Sequence, residues 1–239
     1  MSNDCYRIKV ASESALIIYY QGDTDGEICE SAADWIRVAC CRIKRELGNL
    51  VIEMIPSYAS VLVSFDPYIT DHYQVRHRLR LLLTELNTKS PWEHQDKPGK
   101  LVELPVYYSE QTGPDLERIA IQAQCSIEEV ITEHQSVTYR VYAIGFAPGF
   151  AYLGQVPQRL TMPRLSTPRA LVPKGSVAIA DRQTAIYPAD SPGGWNILGR
   201  CPVELFSAAN TPHMPFDVGD KVRFVAIDKT QFIELGGVL

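Results

Sequence analysis

IGFAPGFAYLG (residues 144–154), PRLSTPRALVPKGSVAIA (163–180) and QTAIYPADSPGGWNILGRCPVELF (183–206) lie in one stretch, from Ile144 to Phe206. Glycine and proline recur in it every few residues, which no long helix tolerates. Short apolar segments such as Val177–Ala180 and Val203–Phe206 sit between these breakers and read as strands joined by tight turns. Polar groups are interleaved with them: Arg164, Arg169, Lys174, Gln183, Tyr187, Ser191, Trp195, Asn196 and Arg200. Stiff loops that carry polar groups on a β scaffold are a usual place for a site.

Outward from this stretch, Thr138–Ile144 alternates as a strand on its N-terminal side, and Lys221–Ile227 is a strand after the turn Asp217–Asp220. Leu101–Tyr108 is a further strand whose Pro105 favours an edge. Gly113-Pro114-Asp115 opens a helix through about Gln124. Ser126 and Glu129 form a capping box for a second short helix to about Glu133. Many short strands with few helices suit a closed or nearly closed barrel, because closure removes exposed edges.

The first part of the chain reads differently. Tyr6–Val10 and Ala15–Tyr20 are strands, and Val51–Ile55 and Ser60–Phe65 are two more. From Glu27 to Leu47, Ile28, Ala32, Ile36, Ala39, Ile43 and Leu47 recur at helical spacing, with Lys44, Arg45 and Gly48 suited to the C-terminus. Thr70 opens another helix, with Val75, Leu79, Leu82, Leu83 and Leu86 on one face. The order ββαββα implies helices on one face of a mostly antiparallel sheet. Asn87–Lys100 is polar, holds two prolines and a glycine, and reads as a linker. The expected organisation is a small α+β domain over residues 1–90 and a mostly β-barrel domain over residues 91–239.

Composition narrows the function. Of 239 residues, 46% are hydrophobic and 21% charged, with a net charge of −5. That balance fits a soluble globular protein and argues against a nucleic-acid footprint. Apolar runs fall short of the roughly 20 residues a membrane helix needs. The N-terminus lacks a secretory pattern. Six cysteines without C-x-x-C spacing read as thiols in a reducing cytoplasm.

Site candidates follow from residue type. Pro163-Arg164 and Pro168-Arg169 put two planar guanidinium forks on one loop, either an anion site or solvated surface charge. Pro173-Lys174-Gly175-Ser176 lacks Walker A spacing. Gly145–Phe150 fits a stiff ligand-facing loop or a tight corner with Phe146 and Phe150 in the core. Gln183 and Tyr187 flank a strand and can face a pocket, or they can satisfy loop backbone. The glycines of Ser191-Pro192-Gly193-Gly194-Trp195 permit close backbone approach beside a flat Trp195 wall. His134 is the best-placed group titrating near neutral pH. The other histidines make no metal-ligand spacing, and no hydrolase nucleophile elbow is present.

These motifs, GFAPGFAYLG, PR-x3-PR, VPKGSVAIA, QTAIYPADSPGGW and GRCPVELF, closely resemble the family of 5-oxoprolinase B subunits and KipI, also called allophanate hydrolase subunit 1. The likeness is strong over about residues 98–228. It is looser before that, through PSYASVLVSFDP (56–67). The resemblance implies an α+β N-terminal domain followed by a cyclophilin-like, mostly β-barrel C-terminal domain. It implies an ATP-dependent hydrolase that opens 5-oxoproline to glutamate with a C subunit (KipA-like) and a separate A subunit, and little activity alone. Two alternative roles accompany it: inhibition of a sensor histidine kinase, and membership of a urea or allophanate pathway complex. On this resemblance and residue type, Arg169, Lys174, Gln183, Tyr187 and Arg200 are expected to line the cleft, Trp195 to wall it and His134 to transfer protons, with no metal in this chain. Three places depart from the family pattern: Asp181-Arg182, where a glycine is usual, Ala185 for Gly, and Cys201 for Thr.

Overall fold

In the computed structural model, which describes residues 5–22, 29–88 and 99–239, the chain divides into two units, Met1–Pro98 and Gly99–Leu239. The first is built on an antiparallel sheet of β1 (Tyr6–Ser12), β2 (Ala15–Tyr20), β3 (Val51–Ser57) and β4 (Ser60–Phe65), in the order β1-β2-β4-β3. Alternation sets its inner face. Leu16 and Ile18 of β2 and Val61, Val63 and Phe65 of β4 are buried in one cluster with Ile36, Ile43, Leu79 and Leu83. Those last four come from the helices α1 (Glu30–Leu47) and α2 (His72–Thr88).

Helix limits differ slightly from the sequence reading. α2 starts after Asp71, whose Oδ1 accepts the N–H groups of Tyr73 and Gln74 at 2.9 Å each and caps the helix. At the end of α1, Gly48 stays right-handed and begins a 3-10 turn instead of taking a left-handed cap. Glu27 and Ile28 lie outside the described residues. So does most of the Asn87–Lys100 linker.

The second unit holds β5 (Leu101–Val106), α3 (Leu116–Ala123), α4 (Ile127–Ser136), β6 (Thr138–Ile144), β7 (Ala151–Gly154), β8 (Arg169–Val172), β9 (Ser176–Ala180), β10 (Gln183–Ile186), β11 (Ser191–Gly193), β12 (Asn196–Arg200), β13 (Lys221–Ala226) and α5 (Lys229–Glu234). Seven strands form one sheet in the order β12-β9-β10-β7-β6-β13-β5. Its two ends meet just past Pro105. Tyr107 and Arg200 exchange backbone hydrogen bonds at 2.9 and 3.0 Å. Pro105 has no N–H to give, so β5 cannot ladder along its free side, and this bridge closes the barrel. The sheet interior buries Tyr139, Val141, Leu153, Val177, Ile179, Leu198 and Phe224 in one core with Ile119 of α3 and Val130 of α4. The Ser126–Glu129 capping box starts α4 as its sequence predicts, with bonds of 3.1 and 2.8 Å.

Strand alternation also builds a second, outer core. Ala178, Ala180, Ala185 and Ile197 point away from the barrel interior and pack with Phe150, Val172, Tyr187 and Trp195. β8 and β11 pair as a separate two-stranded ribbon.

One expectation for the C-terminal part is corrected. Val203–Phe206 is not a strand, because Asn196–Arg200 takes the place beside β9 and completes the closure. After Pro202 the chain turns away, and the Leu205 backbone packs against Gly149, whose φ of +84 and lack of Cβ allow the approach. After β13 the chain becomes helical again. α5 is opened by a capping box in which Asp228 Oδ1 accepts Gln231 N–H at 2.8 Å and Gln231 accepts Asp228 N–H at 3.1 Å.

Candidate functional site

The residues expected to serve one cleft are distributed over five places. Lys174 and Arg200 come together, and they line a cavity of about 460 Å3 at one end of β8, β9 and β12. That size falls in the range of about 300–1,000 Å3 typical of small-molecule sites. Its wall is completed by Pro173, Asp190, Cys201, Val203, Phe232 and the segment Gly236–Val238.

Local backbone chemistry explains the meeting. Gly175 sits at φ +82, and any Cβ there would collide with the Cys201 carbonyl. The Gly175 carbonyl accepts Cys201 N–H at 2.8 Å, and Gly175 N–H donates to the Tyr187 carbonyl at 2.8 Å. The Pro173–Gly175 turn is thereby stitched to the end of β12. Asp190 Oδ1 accepts the Lys174 backbone N–H at 2.7 Å, and the Lys174 ammonium donates to Glu204 at 3.2 Å.

Arg200 contributes through both backbone and side chain. Its backbone closes the barrel with Tyr107, while its Nη1 donates to the Val238 carbonyl at 2.7 Å. Its Nε is buried with no acceptor among the described residues. Burial lowers the pKa of this guanidinium and the nearby Asp190 carboxylate opposes that shift, so the cation is retained. Cys201 is buried, and burial pushes its thiol up to about 12, against a weaker opposing hydrogen bond from Val203 N–H. It is a neutral thiol at physiological pH and no nucleophile. The lining sets two cations, Lys174 and Arg200, against one carboxylate, Asp190, among apolar side chains, and the positive balance suits binding an anion and stabilising developing negative charge. Among the described residues no group of three His, Cys, Asp or Glu side chains is placed to hold a metal ion.

His134 lies in the barrel interior and is absent from the cavity lining. It is 0% exposed and stacks on Phe224 at 4.7 Å. Thr184 Oγ1 donates its one proton to the Ala178 carbonyl at 3.1 Å. It must therefore accept from His134 Nε2–H, 3.0 Å away, which leaves bare Nδ1 to accept Tyr108 O–H at 2.8 Å. Desolvation drives the imidazole pKa down to about 3. This is a satisfied, neutral core histidine that does not titrate near pH 7.

Tyr187 and Trp195 belong to the outer core, 2% and 5% exposed. Phe150 meets both rings edge-on at 5.3 and 5.8 Å. The Arg164 guanidinium lies 5.9 Å over the Trp195 ring. Burial raises the Tyr187 pKa, an effect softened by a backbone hydrogen bond at Trp195 and by Arg164 and Arg169. These rings pack a core and do not wall the cavity. The two phenylalanines of the Gly145–Phe150 turn divide: Phe150 is buried, whereas Phe146, at φ +76, is 66% exposed. Gln183 opens β10 opposite Ala180, the end of β9 away from Arg200, which pairs with Ser176.

Arg169 is held by a residue that sequence reasoning took only for a helix start. Asp115 occupies the N-cap position of α3 but makes no capping bond with its side chain. Its Oδ1 binds Arg169 Nη2 at 2.9 Å and its Oδ2 accepts the Ile197 N–H at 2.7 Å. No local signal distinguishes this use from capping. The tail Gly236–Val238 is the other contributor the sequence left unmarked.

Fold and cavity together define a cyclophilin-like closed barrel with a cation-lined cavity at one end. Residues 6–216 match the model of the carboxyltransferase domain, subdomain C and D. The chain is 35% identical over 237 residues to the 5-oxoprolinase B subunit of Bacillus subtilis (strain 168), covering 95% of each chain. It is 36% identical over 179 residues to the 5-oxoprolinase B subunit of Escherichia coli O157:H7, covering 73% of this chain and 78% of the other. A crystal structure of TTHA0988 superposes with a TM-score of 0.75 at 29% identity over 93% of this chain, which spans 40% of that longer one. The chain belongs to the carboxyltransferase subdomain C and D family, in the branch that holds the 5-oxoprolinase B subunits.

Proposed function

We propose that this chain is the B subunit of an ATP-dependent 5-oxoprolinase and works in the cytoplasm with the C and A subunits of that enzyme. The observation that carries this reading is the full-length similarity to a protein named as a 5-oxoprolinase B subunit. The Lys174/Arg200 cavity supports it, because 5-oxoproline is a small ring bearing a carboxylate. ATP is the co-substrate and is shared with the partner subunits. In the overall reaction ATP phosphorylates the lactam oxygen and releases ADP. One water then opens the C–N bond, and a second releases phosphate and leaves glutamate. Lys174 and Arg200 would hold the substrate anion and offset the charge of the phosphorylated intermediate.

The test is glutamate formation by this chain mixed with the purified A and C subunits, ATP and 5-oxoproline. Omitting the chain should abolish product. Arg200→Ala should lower turnover by about 100-fold, the scale of removing one preorganised donor. Full activity in the Arg200→Ala, Lys174→Ala double variant would overturn the site assignment. No turnover in the complete mixture would overturn the function.

A further inference from the structure

The segment after α5 touches the cavity in a way that the proposed reaction does not require. Gly236, Gly237 and Val238 form part of its wall. They are held from two sides. Gly237 N–H donates to the Phe232 carbonyl at 2.8 Å, and Gly236, at φ +85, donates to the Ile233 carbonyl at 2.9 Å. This turn aims the Val238 carbonyl at Arg200, where it accepts from Nη1 at 2.7 Å. Phe232 beneath it is fully buried and packs on Tyr107, the residue that closes the barrel with Arg200.

Arginine is long and loses much rotamer freedom when fixed. An unheld guanidinium samples many positions, and a cation reads a carboxylate well only when its fork is already in place. The tail supplies that restraint with a neutral acceptor. A carbonyl fixes the guanidinium without cancelling its charge, whereas a carboxylate in the same position would neutralise it. Lys174 is hydrogen-bonded directly to the Glu204 carboxylate, whereas Arg200 has Asp190 nearby as a charge and the Val238 carbonyl as its hydrogen-bonded partner. The cavity is open with the tail in place, so ligand entry does not require the tail to leave.

We propose that the Val238 carbonyl is a positioning group: the Gly236–Val238 turn holds the Arg200 guanidinium so that it can receive the carboxylate of a small anionic ligand in the cavity. For the ligand's identity this rests on the 5-oxoprolinase reading, but the restraint itself does not.

Gly237 provides the perturbation. A Cβ on it would run into the Phe232 ring, so Gly237→Ala forces the turn and the ring apart without altering the Arg200 side chain itself, and deletion of the tail removes the turn outright. Deletion of residues 236–239 is the second variant. The first readout is rotation of the Arg200 guanidinium, measured in the full chain by NMR with the signal assigned through Arg200→Lys. Rotation should be slow in the parent and at least tenfold faster in either tail variant. The second readout is binding of 5-oxoproline by calorimetry. Gly237→Ala should weaken it about tenfold, and the loss should vanish in an Arg200→Gln background, where nothing remains to be positioned. A merely structural tail would cost the same in both backgrounds. Unchanged rotation in both tail variants, or equal losses with and without Arg200, would overturn the proposal. Released rotation in a chain that binds no 5-oxoproline would support the restraint and sink only the choice of ligand.

Discussion

Acid should destabilise this protein through His134, by an amount its surroundings set. In the unfolded chain the imidazole titrates near its ordinary value of about 6.5. In the folded barrel, burial holds it at about 3. Between those values the unfolded state binds a proton that the native state refuses, so stability falls as pH falls. The contribution is fully present above about pH 6.5, drains away toward pH 3 and stops changing below that. The slope is about 1.4 kcal/mol per pH unit, so the two units from 6.5 to 4.5 remove about 2.7 kcal/mol. Other groups also titrate in this range, and comparison with His134→Gln isolates the effect. The variant loses ring stacking and hydrogen bonds at every pH but carries no imidazole to protonate. Urea unfolding at pH 7.5, 6.0, 5.0 and 4.5 should show its deficit relative to the parent shrinking by about 2.7 kcal/mol across the series. A deficit that stays constant, or an NMR titration of His134 near 6.5 in the native protein, would refute the reasoning.

Two further outcomes follow from particular contacts. Asp115→Ala strands both Arg169 Nη2 and the Ile197 N–H, and should cost about 3–5 kcal/mol in urea unfolding. Asp115→Asn keeps an acceptor for Ile197 and should cost less, and a loss below about 1 kcal/mol for the alanine variant would contradict the clamp. Asp181 sits at φ +51, so Asp181→Val should lose about 1–2 kcal/mol while Asp181→Gly stays within about 0.5 kcal/mol of the parent in thermal melts. Equal melting temperatures for the two would show that the backbone carries no such demand.

What was legible in the sequence was whatever neighbouring residues decide. The Ser126–Glu129 box, the apolar spacing of α1 and the edge position of Pro105 are properties of a few adjacent side chains, and each has the structure its local chemistry predicts. The left-handed backbone at Asp181, φ +51, is not of this kind, because no neighbouring residue marks it. Val203–Phe206 failed because an apolar run cannot announce that the place beside β9 is already filled. His134 failed for a similar reason on the scale of the whole barrel. Its partners Tyr108, Thr184 and Phe224 are distant in sequence, and only burial among them turns a group able to titrate near neutrality into one that does not.

The site has the same origin. Lys174, Arg200 and Val238 share no motif, and strand order together with the tail brings them to one cavity. Arg200 shows how closely fold and site are joined. Its backbone supplies both hydrogen bonds of the closing bridge, and its side chain projects into the cavity. A side-chain substitution leaves the bridge atoms in place, so the barrel can close while the cavity loses one of its two cations. That separation is why the Arg200 variants can report on ligand binding in a folded protein, and why a variant that broke the Tyr107–Arg200 bridge could not.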